Sequence, residues 1–169
     1  MRNAVASLFV ISLISSPLAA GQARSGGTAG KPVIKACSLL PKDLVIKASG
    51  AMNKAVFDMP LREEPAGAGS ACNWSNITLQ IDALSADAID RAVKQNERGA
   101  GSKRGANYVP VSGVGDRAYY NADTYFAELM GYAGGHTFTI QIGVAPQSTA
   151  EKMKPDVIAI AQAIVAKLK

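Results

Sequence analysis

The chain is poor in the residue types that enzymes most often use to bind metals and move protons. Its 169 residues include one His and two Cys, and aromatic side chains make up 6% of the total. Because thiolates and imidazoles are common metal ligands, the sequence predicts no metal site and no cofactor. The apolar content is ordinary at 48% and the formal net charge is only +5, so the composition indicates a folded domain with a mildly basic surface.

The N-terminus also lacks an apolar run long enough to cross a bilayer. Its apolar stretch ends near Ile14, short of the roughly 20 residues that a transmembrane helix needs. A basic Arg2 precedes the stretch and small residues follow it up to Ala20, which is the layout of a secretory signal peptide. We therefore predict a signal peptide over residues 1–20 and an exported protein, periplasmic or secreted, with no transmembrane anchor.

The segment after the predicted cleavage site is rich in Gly, Ala and Ser and has little apolar surface to bury. It predicts a flexible leader over residues 21–32, followed by one domain over residues 33–169. Export brings the protein into an oxidising compartment, where Cys37 and Cys72 are the only possible intramolecular partners. The sequence therefore predicts a disulfide between them, and it makes nucleic acid an unexpected partner.

Strict alternation of apolar and polar residues predicts the main strands of the domain. One strand covers 77–83, and a hairpin joins a strand at 125–132 to another at 136–144 through Gly134 and Gly135. Shorter strands are predicted at 108–111 and 117–120. The Pro- and Gly-containing region 51–71 reads mostly as a loop, with a possible edge strand at 56–59.

Helical periodicity places a short helix over 39–50, a second after Ser85 up to Gly99, and the longest at the C-terminus. The last one has capping-box spacing at Ser148 and Glu151, and Pro155 predicts either a kink or the start of its main body. Its apolar stripe consists of Met153, Val157, Ile160, Ile164 and Leu168. Together these patterns predict a single two-layer α+β domain with an antiparallel sheet of four to five strands and about three helices.

Three short motifs carry a family resemblance: ACSLLPKDL at 36–44, CNW at 72–74 and VSGVGDRAYY at 111–120. With them the chain resembles a family of small exported domains of unknown function, best known as mycobacterial lipoproteins. The resemblance covers 36–168, implies paired cysteines and a small α+β domain, and brings no established activity or catalytic residues. This chain departs from the lipoprotein members because it has no Cys at the cleavage site.

Cations beside aromatic residues mark the candidate binding surface. Arg98, Lys103 and Arg104 precede a stretch of tyrosines, and Arg117 and Tyr119 follow the Gly113 to Asp116 turn. Aromatic rings next to cations can stack on sugars and attract anions. We predict a non-enzymatic binding domain of the cell envelope whose partner is an envelope protein, a glycan or a polyanion; the sequence indicates no oligomeric state.

Two alternatives remain open at this stage. A small hydrolase would use His136 as general base, oriented by Asp116 or Asp123, yet nothing in the sequence brings these groups together. A purely structural envelope component needs no site at all. Gly113 and Gly115 superficially resemble a phosphate-binding loop, but a strand rather than a helix follows them, which favours a plain turn.

Overall fold

Alternating apolar and polar side chains organise most of the described chain into antiparallel strands. A computed structural model of the protein describes residues 33–50, 57–99, 107–144 and 148–169. The predicted signal peptide and leader lie outside these ranges, as do the candidate residues Lys103 and Arg104. Every described strand joins one sheet, in the order β1-β2-β3-β7-β6-β5-β4, and all neighbouring pairs are antiparallel.

The elements follow one another along the chain as two short helices, a three-stranded meander, a helix, a four-stranded meander and a long helix. The helices are α1 Ala36–Leu39, α2 Lys42–Ala48, α3 Ala86–Gly99 and α4 Ala150–Leu168. The strands are β1 Arg62–Ala66, β2 Gly69–Trp74, β3 Ile77–Asp82, β4 Tyr108–Pro110, β5 Arg117–Ala122, β6 Phe126–Ala133 and β7 His136–Gly143. No helix in the described ranges has the length and apolarity to cross a membrane.

The α+β class and the position of the longest helix are confirmed, but the strand count of four to five is wrong. The described sheet has seven strands because β1 and the first half of β2, residues 69–71, lie in the region predicted as loop. The possible edge strand at 56–59 is wrong as well, since Phe57 and Asp58 form a 3₁₀ turn. The predicted first helix is divided into α1 and α2 around Pro41, which gives four helices instead of about three.

One face of the sheet carries the main core. Residues paired across antiparallel strands point to the same face, and one such row runs through Cys72, Leu79, Ile140, Leu129 and Tyr120. All five are buried. We call this the core face; it packs against α1, α2 and the predicted stripe of α4, all of whose members are buried as expected.

The other face, here the second face, carries the residues that alternate with the core row. Helix α3 packs there, with Ile89 and Val93 buried against Tyr108 and the flanking side chains Tyr119 and Met130. The register pairs Tyr119 with Met130 on this face. Helices therefore cover both faces of the sheet, so the two-layer prediction is wrong. The second, smaller apolar cluster is what holds α3 in place.

The disulfide and one carboxylate attach α1 to the first meander. Cys37 and Cys72 are bonded, with their Cα atoms 4.8 Å apart, which confirms the predicted pair. Glu63 on β1 accepts hydrogen bonds from the backbone N–H groups of Ala36 and Cys37, at 2.7 and 2.9 Å. The hydroxyl of Ser70 accepts a further bond from the Ala36 N–H. Polar contacts and the covalent bond thus anchor the first helix to β1 and β2.

Helix α4 begins one residue later than its sequence pattern suggests. The N-cap is Thr149, whose hydroxyl accepts from the Lys152 N–H at 3.3 Å, and not Ser148. Pro155 lies inside the helix, five residues after its first residue, so the main body does not begin there. In the sheet, Gly134 and Gly135 both have positive φ and form the predicted β6–β7 turn.

Removal of the disulfide should lower the stability of the domain substantially. The bond closes a loop with a sequence separation of 35, and the lost chain entropy of the unfolded state corresponds to roughly 3 to 4 kcal/mol. We expect the Cys37→Ala/Cys72→Ala variant to lose about that much unfolding free energy in urea titrations of the mature domain. A loss below about 1 kcal/mol would contradict a stabilising role for the bond.

Gly134 should be far less replaceable than Gly50, although both have a left-handed backbone. Their φ angles are +57° and +64°, but a Cβ at Gly134 would lie 2.1 Å from the Leu168 carbonyl oxygen, whereas Gly50 has nothing within 4 Å. We expect Gly50→Ala to lose about 1 kcal/mol through backbone strain, and Gly134→Ala to lose at least about 2 kcal/mol more. Equal losses in thermal unfolding would show that this contact with the end of α4 is unimportant.

Candidate functional site

The candidate site is built around α3, because that helix carries the first of the predicted binding residues. Its apolar positions, Ile89 and Val93, are one turn apart and face the sheet. Its polar positions are then distributed between the flanks and the solvent side. The position of each polar side chain around the helix decides whether it can contact a ligand.

Asp90 lies on the flank of α3 and binds the neighbouring strand. Its carboxylate forms a short ion pair with the guanidinium of Arg117 and accepts a hydrogen bond from the Tyr119 hydroxyl at 3.0 Å. Partial burial and this hydrogen bond raise the pKa of Tyr119. We call these three residues the Asp90 clamp. The carboxylate of Asp90 therefore faces β5 and not the solvent side of the helix.

A second polar network lies between α3, β4 and β6. The Tyr108 hydroxyl donates to Glu128 at 2.5 Å and accepts from the side-chain amide of Asn96 at 2.9 Å. Burial raises the pKa of Glu128, although hydrogen bonds from Tyr108 and Asn121 oppose the shift. Burial also raises the pKa of Tyr108, and the adjacent Glu128 adds to this effect. The carboxyl therefore holds its proton to higher pH than a solvated glutamate.

The solvent side of α3 carries a row of cations. Arg91, Lys94 and Arg98 are exposed, and at about 100° per residue they fall within roughly 60° of one another around the helix axis. None of the three forms an ion pair with a described residue. We call them the α3 basic stripe. Asp87 projects to the same side one turn before Arg91, so the positive charge is concentrated in the C-terminal half of the helix.

The structure separates the predicted binding residues into two groups. Arg98 belongs to the α3 basic stripe, whereas Arg117 and Tyr119 belong to the Asp90 clamp. The sequence suggested neither Asp90 nor Glu128 as a structural contact. The sequence held one signal for such a contact. Arg117 and Tyr119 are two residues apart on a strand, so their side chains share a face and could share one carboxylate.

The residues suggested for hydrolysis, His136, Asp116 and Asp123, each form a local hydrogen bond, and Asp116 does so through its backbone. The Nδ1 atom of His136 lies 3.0 Å from the Gly134 carbonyl oxygen, at the start of β7. The Asp116 N–H donates to the Tyr132 carbonyl, and an Asp123 carboxylate oxygen accepts from the Tyr125 N–H. Gly113 and Gly115 have positive φ and form the turn before β5, so their turn role is confirmed. In the described ranges no three His, Cys, Asp or Glu side chains are grouped to hold a metal ion.

Comparison with known proteins finds no relative for this chain. It matches no protein-family model, no curated protein and no solved structure. The resemblance to the small exported domains therefore stays a prediction, and the site is interpreted from its own geometry.

Replacing the buried glutamate should make the domain more stable at neutral pH. The pKa of Glu128 is raised in the folded state, whereas in the unfolded chain it is about 4.3. Above that pH the unfolded chain loses this proton more readily than the folded domain, which lowers the unfolding free energy. We expect Glu128→Gln to match the wild type near pH 3.5 in urea titrations. Its unfolding free energy should exceed that of the wild type by an amount that grows above about pH 4.3 and levels off once Glu128 is ionised in the folded state.

The exposed Glu64 on β1 provides the control for this experiment. Glu64→Gln removes the same charge, so it corrects for a change in net charge alone. The assignment would be contradicted if the two variants showed the same pH trend. It would also be contradicted if the gain in unfolding free energy of Glu128→Gln over the wild type were smaller at pH 7 than at pH 3.5.

Proposed function

We propose that the protein is an exported, non-enzymatic binding domain whose ligand is an anionic polymer of the cell envelope, one that carries phosphate or carboxylate groups. Export is supported by the N-terminal sequence pattern and is compatible with the Cys37–Cys72 disulfide. The disulfide, the single sheet and the helices on both faces provide a rigid support for a surface helix.

The observation that carries the proposal is the unpaired charge of the α3 basic stripe. Arg117 is neutralised by Asp90, whereas Arg91, Lys94 and Arg98 make no ion pair in the described part of the chain. Asp90 and Glu97 lie towards the sheet side of α3, because both fall well away from the middle of the stripe at about 100° per residue. An anion that approaches from solvent therefore meets the three cations, with Asp87 beside them only at the N-terminal end of the stripe.

The shape of the surface favours a polymer over a small ligand. A helix face is convex, so its cations cannot surround one anion, but they can contact successive charges along an extended chain. Each exposed contact contributes about 0.2 to 1 kcal/mol, and several of them together give useful affinity. Such binding is sensitive to salt, because exposed charges are screened over about 10 Å at 0.1 M ionic strength.

The sequence extends the positive charge beyond the described end of α3. Lys103 and Arg104 follow Gly99 by four and five residues. Both residues lie outside the described ranges. We include them in the proposed surface as secondary contacts, while the argument itself rests on the three residues of the stripe.

Neutralising the α3 basic stripe should weaken binding to an anionic polysaccharide. Loss of three exposed contacts at about 0.5 to 1 kcal/mol each corresponds to roughly a tenfold to hundredfold lower affinity for dextran sulfate. The test compares wild-type protein with the Arg91→Gln/Lys94→Gln/Arg98→Gln variant by calorimetry or biolayer interferometry at several salt concentrations. The variant should also show a smaller dependence of affinity on salt.

A matched control removes three other exposed cations. Lys35→Gln/Lys152→Gln/Lys169→Gln lowers the net charge equally and leaves α3 intact. If this control weakens binding as much as the stripe variant, the attraction is a property of net charge and the proposed surface is wrong. Equal binding of uncharged dextran by the wild type would refute an anionic ligand.

A further inference from the structure

A groove separate from the α3 basic stripe lies between the end of β5 and the first turns of α4. It has two lobes of about 250 and 390 Å³ that share Ala122 and Glu151 in their walls. Pockets that bind small molecules commonly have volumes of about 300 to 1,000 Å³. The two lobes together are therefore large enough for a short peptide or a ligand of similar size. We call this cavity the α4 groove.

Opposite charges line the two ends of the α4 groove. Lys154 lines the first lobe and Asp123 lines the second, while Glu151 lies where the lobes meet. Lys154 forms no ion pair with a described residue. One oxygen of Asp123 accepts from the Tyr125 N–H, and the other oxygen is left for a second donor. The first lobe therefore contains a cation next to the shared Glu151, and the second lobe contains Glu151 and Asp123 without a cation among its lining residues.

The wall of the first lobe is partly aromatic and apolar, although Tyr120 itself is only 2% exposed. Tyr120 lines the first lobe together with Val109, and the Lys154 ammonium lies 5.5 Å from the centroid of its ring. The Tyr120 hydroxyl donates to the Ala150 carbonyl, which holds the ring against the start of α4. Tyr125 follows the second-lobe residue Thr124 and is 64% exposed.

We propose that the α4 groove binds a zwitterionic short peptide, with its carboxylate at Lys154 and its ammonium group between Asp123 and Glu151. The apolar wall of the first lobe would contact the peptide side chains. A neutral glycan would use the aromatic rings but leave both charged ends of the groove without partners, and a polyanion would meet two carboxylates. The charge pattern thus favours a ligand that carries both signs. This proposal is independent of the binding function assigned to α3.

The test is a titration of ¹⁵N-labelled protein with tripeptides of alanine and of mixed apolar residues, followed by the amide shifts of the groove. Tripeptides with both termini free should bind with a dissociation constant at or below about 1 mM. Acetylation of the amino end, or amidation of the carboxyl end, should weaken binding by about twofold to fivefold, since each removes one charge contact.

Variants assign each end of the peptide to its residue. Lys154→Met should bind the free and the C-terminally amidated tripeptide with equal affinity, and should still bind the N-acetylated tripeptide more weakly than the free one. Asp123→Asn/Glu151→Gln should bind the free and the N-acetylated tripeptide equally, and should still bind the amidated tripeptide more weakly. Lys152→Met, an exposed position on the same helix, serves as the matched control and should change neither; thermal unfolding verifies that all variants are folded.

Four outcomes would overturn the proposal. The first is that blocked and free tripeptides bind equally, and the second is that no groove amide shifts with any peptide. The third is that Lys152→Met reproduces the effect of Lys154→Met. Binding of a neutral oligosaccharide at the groove in place of the peptides would also contradict it. None of these results bears on the affinity of α3 for anionic polymers, so the two proposals fail separately.

Discussion

The whole structure depends on the register of the seven-stranded sheet. Because side chains alternate between faces along each strand, a shift of one residue would move a buried row to the opposite side. The observed register instead aligns Leu79, Ile140, Leu129 and Tyr120 on one face, where α1 and α4 cover them. The same register places the alternate residues of each strand on the second face. There β4, β5 and β6 present apolar side chains against which α3 packs.

That arrangement explains why the polar residues of α3 differ in role. The clamp formed by Asp90 with Arg117 and Tyr119 holds one flank of the helix to β5, while Asn96 reaches the Tyr108–Glu128 pair. These contacts lie next to the smaller apolar cluster. Once they are made, the cations that remain on the solvent side have no described partner. The α3 basic stripe is thus a consequence of how α3 is attached to the sheet. Arg117 is already paired with Asp90 and is therefore not part of the proposed anion-binding surface.

Most of the fold could be predicted from periodicity, because β3, β6, β7 and α4 each bury one face more completely than the other. Strand β1 escaped prediction since an edge strand with Arg62, Glu63, Glu64 and Pro65 has no apolar alternation; these residues also discourage pairing with another chain. The clamp escaped because it joins residues 27 and 29 positions apart, and only the three-dimensional register brings them together. Helix periodicity alone does not reveal which flank of α3 faces the strand.

The most direct test of the proposed function is a map of where an anionic polymer contacts the folded domain. Titration of ¹⁵N-labelled protein with dextran sulfate, and in parallel with uncharged dextran, gives that map by NMR. The account predicts that the amide shifts concentrate on 91–98 of α3, appear only with the sulfated polymer and fade as salt is added. Shifts that are absent from α3, or that are equal for both polymers, would contradict it.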